Sequence, residues 1–262
     1  MWMTLWKKEW QESLPRFGIV IGVLLLMYAG ILTAAFNGSA LALLLGFFAV
    51  GLHLVLLLLL WALSFHGEWR SRTQWTWLNI PAPGWQLVTA KLAAGFSQYV
   101  ISIALLTAVG FLSMRIFASG MGAQFRESVD VMQNVLTGFF PLMLLALTYA
   151  AVFLGLGLVF IILMARSVKK IGWVIGLGSA LLFSYVYSMF NQSSLYETLF
   201  HHGVLFDAEQ TLQNVTNGSM NLQMEVEQGA NIYAGQLAVE MLLAAGIIAL
   251  LSWMVDRFVQ PS

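Results

Sequence analysis

Apolar residues along this chain gather into six runs, at about 17–36, 40–65, 92–117, 138–164, 171–190 and 233–255. A bilayer core about 30 Å thick needs about 20 apolar residues at about 1.5 Å of rise per residue, so each run is long enough to cross it as a helix. The pattern predicts an all-α polytopic membrane protein with six transmembrane helices in a single transmembrane domain, residues 17–262. The polar intervals that matter are residues 1–16, the loop 66–91 and the long loop 191–232.

The first interval has its own periodicity. Trp2, Leu5 or Trp6, Trp10 and Leu14 recur at helical spacing, with Lys7, Lys8, Gln11 and Glu12 on the other side. This predicts a short amphipathic helix lying in the membrane interface and stopped by Pro15. Anchoring to lipid is one reading, and contact with a cytoplasmic partner is the other. A polar leader of this length, with no small-x-small site after the apolar run, marks that run as a retained helix rather than a signal peptide.

Composition agrees with the pattern: 60% of the 262 residues are hydrophobic and 9% are charged, against about 25% charged in soluble domains. Twelve basic and twelve acidic residues cancel, which removes any argument for a nucleic-acid partner. The absence of cysteine excludes disulfides and thiolate chemistry. What carries information is where the charges fall. With both termini in the cytoplasm, Lys7, Lys8, Arg16, Arg70, Arg72, Lys91, Arg166, Lys169, Lys170 and Arg257 lie inside and only Arg115 and Arg126 outside, as the positive-inside rule requires. Glu127, Asp130, Glu197, Asp207, Glu209, Glu225 and Glu227 then lie outside.

The stretch "EWRSRTQWTWLNIPAPGWQLVTAK", Glu68 to Lys91, is therefore a cytoplasmic loop. Trp75, Trp77, Leu78, Ile80 and Trp85 make it apolar, while Pro81 and Pro83 forbid one continuous helix. A short helix, a proline corner and a second helical start running into the third span follow. An aromatic belt at headgroup level accounts for one or two of the tryptophans, but not for the stiff corner between them.

With its interfacial helix, six spans and this loop, the chain resembles the ABC-2 type permeases, the membrane subunits of ABC exporters. That family shows a glutamate, a basic stretch, glycine-threonine, leucine, proline and lysine here. Glu68, Thr73, Leu78, Pro81 and Lys91 take those places, Arg72 stands where glycine is usual, and Pro83 is an alternative to Pro81. The resemblance implies a coupling element seated in a cytoplasmic ATPase, involving Glu68, Arg70, Arg72, Thr73, Trp77, Leu78, Pro81, Pro83 and Lys91. Glu68 is expected to pair with a basic group of the ATPase, or locally with Arg70 or Arg72. The resemblance further implies two ATPase copies binding ATP and magnesium, a second permease of the same or similar kind, and the bacterial cytoplasmic membrane.

No GxxxxGK[ST] phosphate loop occurs in this sequence, so ATP hydrolysis is expected in a partner chain, with no cofactor, metal or catalytic residue in this one. Gly172, Gly176 and Gly178 read as a small-residue face for helix packing, within the subunit or across a dimer. His53, Gln98 and Glu240 are the few polar groups at membrane depth and the candidates for a substrate pathway. For His53 a hydrogen-bonded packing role is the plainer reading, and for Glu240 simple access to the outer interface. Such scarcity points to an apolar or amphipathic cargo. The loop 191–232 is expected to hold short helices or a hairpin turning at Asn217 and Gly218, with another amphipathic piece at "MGAQFRESVDVMQNVL". His201, His202, Asp207 and Glu209 form a weak metal candidate, because adjacent histidines point apart. Asn37, Asn191, Asn214 and Asn217 begin N-x-[ST] matches. The alternatives are a stand-alone secondary carrier or channel, for which inverted repeats are wanting, and an intramembrane enzyme, for which no catalytic constellation is present.

Overall fold

The computed structural model describes residues 1–39, 41–120, 123–168, 170–208, 210–211 and 231–258, the side chains of 120–132 excepted. Eight helices are described: α1 Trp2–Phe36, α2 Leu41–Arg70, α3 Gln74–Leu78, α4 Gly84–Gly120, α5 Ala123–Ser167, α6 Gly172–Asn191, α7 Ser194–Phe200 and α8 Ala234–Arg257. Six of them, all but α3 and α7, are long and apolar enough to cross a membrane. The chain is a helical, multi-pass membrane protein by this measure. Two strands, β1 Val204–Phe206 and β2 Ile232–Tyr233, pair antiparallel beside α7 and add a small non-helical element to the all-α expectation. The expected turn at Asn217 and Gly218, and the matches at Asn214 and Asn217, lie outside the described residues.

Two expected boundaries are corrected. Pro15 does not stop the first helix: α1 runs through it into the first span as one continuous helix. Proline removes one backbone donor and crowds the preceding turn. Here its ring is exposed, and the Ser13 hydroxyl donates to the carbonyls of Glu9 and Trp10 at 2.8 and 3.1 Å. Side-chain hydroxyls and neighbouring helices commonly absorb such a defect in membrane helices. Likewise α5 is one helix from Ala123 through Pro141 to Ser167, so "MGAQFRESVDVMQNVL" from Ala123 onward belongs to the helix that contains the fourth span.

Close packing follows from small residues meeting large ones. Trp61 of α2 is almost fully buried between Gly95 of α4 and Gly155 of α5, where an added Cβ would stand 2.6 Å from its ring on each side. Its indole N–H donates to the Leu92 carbonyl at 2.9 Å. Helix α1 packs on α4 and α2, α2 on α5, and α8 on α4 and α5, while α6 lies mainly against α5. On α6, Gly172 and Gly176 make that approach: a Cβ would collide with the Met164 carbonyl at the first and meet the Ile161 Cα at 3.1 Å at the second. Gly178 has open space around it and is not part of this face, because two residues further turn it away from the 172/176 stripe.

The start of α1 and the end of α8 lie at one end of the bundle. The Trp2 indole donates to Thr89 Oγ1 at 2.8 Å, and the Gly84 amide donates to Asp256 Oδ1 at 2.7 Å. Thus the starts of α1 and α4 meet the ends of α2 and α8.

Candidate functional site

At that shared end, the polar loop condenses into a buried knot. Lys91, 1% exposed, donates to Glu9 Oε2 and to Glu68 Oε1, both at 2.6 Å. The other oxygen of Glu68 accepts from Thr73 Oγ1 at 2.6 Å. The ammonium also stands 5.1 Å from the ring centre of Trp77, which is itself buried and packs edge-on against Phe65 and Trp69. Glu68 thus has partners from α4 and the loop, Lys91 and Thr73, while Trp77 of α3 covers the Lys91 ammonium.

Local chemistry explains this convergence. Helix α2 ends in a left-handed turn in which the Thr73 amide donates to the Glu68 carbonyl and the Arg72 amide to Trp69. This is the paired bonding that closes helices with a left-handed residue after the cap. Arg72 occupies that residue at φ +57°. A non-glycine side chain is disfavoured there, and this is the position where the resembled family has glycine. After α3, Pro81 and Pro83 turn the chain, and Gly84 starts α4 where a Cβ would meet the Ser252 carbonyl at 2.6 Å. Only glycine lets the corner seat against α8.

The sequence-derived candidates now separate into two groups. Glu68, Thr73, Trp77 and Lys91 are drawn into the knot, and Glu68 pairs with Lys91 rather than with Arg70 or Arg72, correcting that expectation. The reason is burial: a carboxylate removed from water needs a partner held in place, and both arginines are exposed. Arg70, Arg72, Pro81, Pro83, Trp75 and Trp85 face outward, with Trp75 56% and Trp85 52% exposed, and Leu78 is half-buried. The loop is an inward-pointing knot beneath an outward-pointing ridge.

The membrane-depth candidates serve as links between helices. His53 is fully buried; its Nδ1 donates to the Ala49 carbonyl at 2.7 Å, because a carbonyl can only accept. Its Nε2 therefore accepts from Ser102 Oγ at 2.7 Å and Tyr28 Oη at 3.2 Å, tying α1, α2 and α4 together. Gln98 donates to Ser13 Oγ at 2.6 Å, joining α4 to α1. Glu240 is 6% exposed and accepts from Tyr187 Oη at 2.5 Å, while its Oε2 has no partner among the described residues. Tyr196 of α7 lies fully buried close by, and burial raises its phenol above the usual value, so it stays neutral. His201 stacks on Tyr233 at 4.4 Å instead of turning toward Asp207, and Glu209 lies outside the described residues.

Comparison with protein-family models, with curated proteins and with solved structures finds no match in any of the three.

Two participants escaped the sequence reading. Glu9 sits at helical spacing from Leu5 and Trp6, on the apolar face of α1; a carboxylate on an apolar face is the signal that would have exposed it. Asp256 carries no local signal, since its partner lies 172 residues away in the chain.

Proposed function

We propose that the chain is the membrane-spanning subunit of an ATP-driven exporter, coupled to a separate cytoplasmic ATPase through residues 68–91. The observation that carries this reading is the knot of Glu9, Glu68, Thr73, Trp77 and Lys91, which holds α3 and the proline corner against α1, α2 and α4. A coupling element has to transmit force, and this one is tied to three membrane helices while presenting Arg70, Arg72, Trp75, Pro81, Pro83 and Trp85 outward. The left-handed backbone at Arg72 adds support, because it accounts for the glycine of the resembled family at that place.

In this reading both termini and the basic end of the bundle face the cytoplasm of a bacterial cell, and the amphipathic first turns of α1 lie in the inner interface. Two ATPase copies bind ATP and magnesium, a second permease of the same or similar kind completes the pathway, and access alternates as the ATPases close and open. The sparse polar groups at membrane depth suit an apolar or amphipathic cargo, such as a peptide antibiotic, a lipid or a drug-like molecule.

The test is solubilisation from the native membrane, followed by identification of what co-purifies. A nucleotide-binding subunit is expected, and its retention is expected to fall when Trp75 and Trp85 are replaced together by serine. Purification of the chain without any such subunit, with ATP-independent transport, overturns the proposal.

A further inference from the structure

Beside the knot, along α1 and α2, runs an open groove of about 410 Å³ lined by Arg16, Leu63, His66, Gly67, Arg70 and Ser71. Three of its six lining residues, Arg16, His66 and Arg70, have basic side chains. Among the described residues, no carboxylate lies within 4.0 Å of Arg16, His66 or Arg70. Their neighbour Lys91, in contrast, is doubly paired. The Arg16 guanidinium is held in position: it donates to the Leu63 carbonyl at 3.0 Å and lies against Gly67, where a Cβ would stand 3.4 Å from it.

What continues from the groove is apolar. On α1, Ile19, Val23 and Leu26 follow Arg16 at helical spacing and are 71%, 60% and 77% exposed. On α2, Leu63 and Leu59 precede His66 and Arg70 on the same face and are 44% and 50% exposed. A row of basic groups without an ion-pair partner among the described residues therefore meets two exposed hydrocarbon stripes running along the apolar lengths of α1 and α2. That is the shape and polarity of one phospholipid, phosphate at the basic end and acyl chains along the stripes.

We propose that this groove is a binding site for an anionic phospholipid, with Arg16 and Arg70 holding the phosphate and His66 flanking it. The stripes decide for a lipid over a free phosphate, which has no use for them. A zwitterionic lipid carries a cation that would meet the same basic row, so the anionic class is favoured. The site is independent of the exporter reading, since it needs only that this end of the bundle sits at a membrane surface.

The experiment is native mass spectrometry of the delipidated full chain in detergent, titrated with phosphatidylglycerol and with phosphatidylcholine of the same acyl chains. The expected result is one tight phosphatidylglycerol, weakened about thirtyfold by R16Q with R70Q, at roughly tenfold or less per arginine. Raised salt is expected to weaken it too. H66Q with R70Q keeps the Arg16 contact to Leu63 and is expected to give a partial loss, which guards against a misfolded double arginine variant. Equal binding of the two lipids, or binding unchanged in both variants, overturns the proposal. So does displacement of the lipid by millimolar glycerol phosphate, because the acyl stripes would then contribute nothing.

Discussion

Glu68 and Glu240 are both buried glutamates on long apolar helices, yet they are managed in opposite ways. Glu68 has every oxygen engaged, one by Lys91 and one by Thr73, and shares its ammonium with Glu9. Glu240 has Tyr187 on one oxygen and, among the described residues, no partner on the other. Where a counter-charge is brought in by the fold, a carboxylate can be held as a charged fastening. Where only phenols surround it, the group is held by a hydrogen bond that a neutral amide can also accept.

The largest effect that tests this contrast is expected from Lys91→Met, which leaves Glu9 and Glu68 buried without their cation. Breaking a buried pair from one side costs about 3–5 kcal/mol, so unfolding in mild detergent is expected to begin at a much lower temperature. A Lys91→Met chain that melts like the parent would break the comparison at its stronger end. Glu68→Gln is expected to cost about 1.5–3 kcal/mol, the range for a hydrogen bond to a charged group, and to loosen α3. Limited proteolysis at residues 70–85 reads that loosening directly.

At the other end the effects shrink. Gly172→Ala forces a methyl group against the Met164 carbonyl and is expected to cost about 1–3 kcal/mol through overpacking of α6 on α5. The same change at Gly178 meets open space and is expected to stay within about 0.5 kcal/mol. Tyr187→Phe removes one hydrogen bond and is expected to cost about 1 kcal/mol. Smallest of all, Glu240→Gln is expected to change thermal stability by less than about 1 kcal/mol, since the amide oxygen still accepts from Tyr187. A loss at Glu240→Gln as large as at Glu68→Gln would show that the Glu240 carboxylate is held ionised by a partner the helices described do not supply.

How far residues announced their roles depended on the range of the signal. Glu68, Thr73 and Lys91 were found as a spaced pattern, but their mutual bonding was not, because 23 residues and a reversal of direction separate Glu68 from Lys91. Pro15 misled for the opposite reason: its local effect is to break a helix, and packing of α1 along α4 and α2 overrode it. Gly172, Gly176 and Gly178 looked alike in the sequence, and only the placement of α5 separated the first two from the third.

By itself, the sequence determined the class of protein and the number of long apolar helices, because the bilayer dictates their length and hydrocarbon content residue by residue. It also determined the corner after α3, where Pro81 and Pro83 restrict their own backbone. Only the tertiary structure decided which charges face inward, which glycines bear a neighbour and where Glu9 and Asp256 find their partners. Those outcomes depend on contacts between helices far apart in the chain, and no local preference encodes a contact of that range.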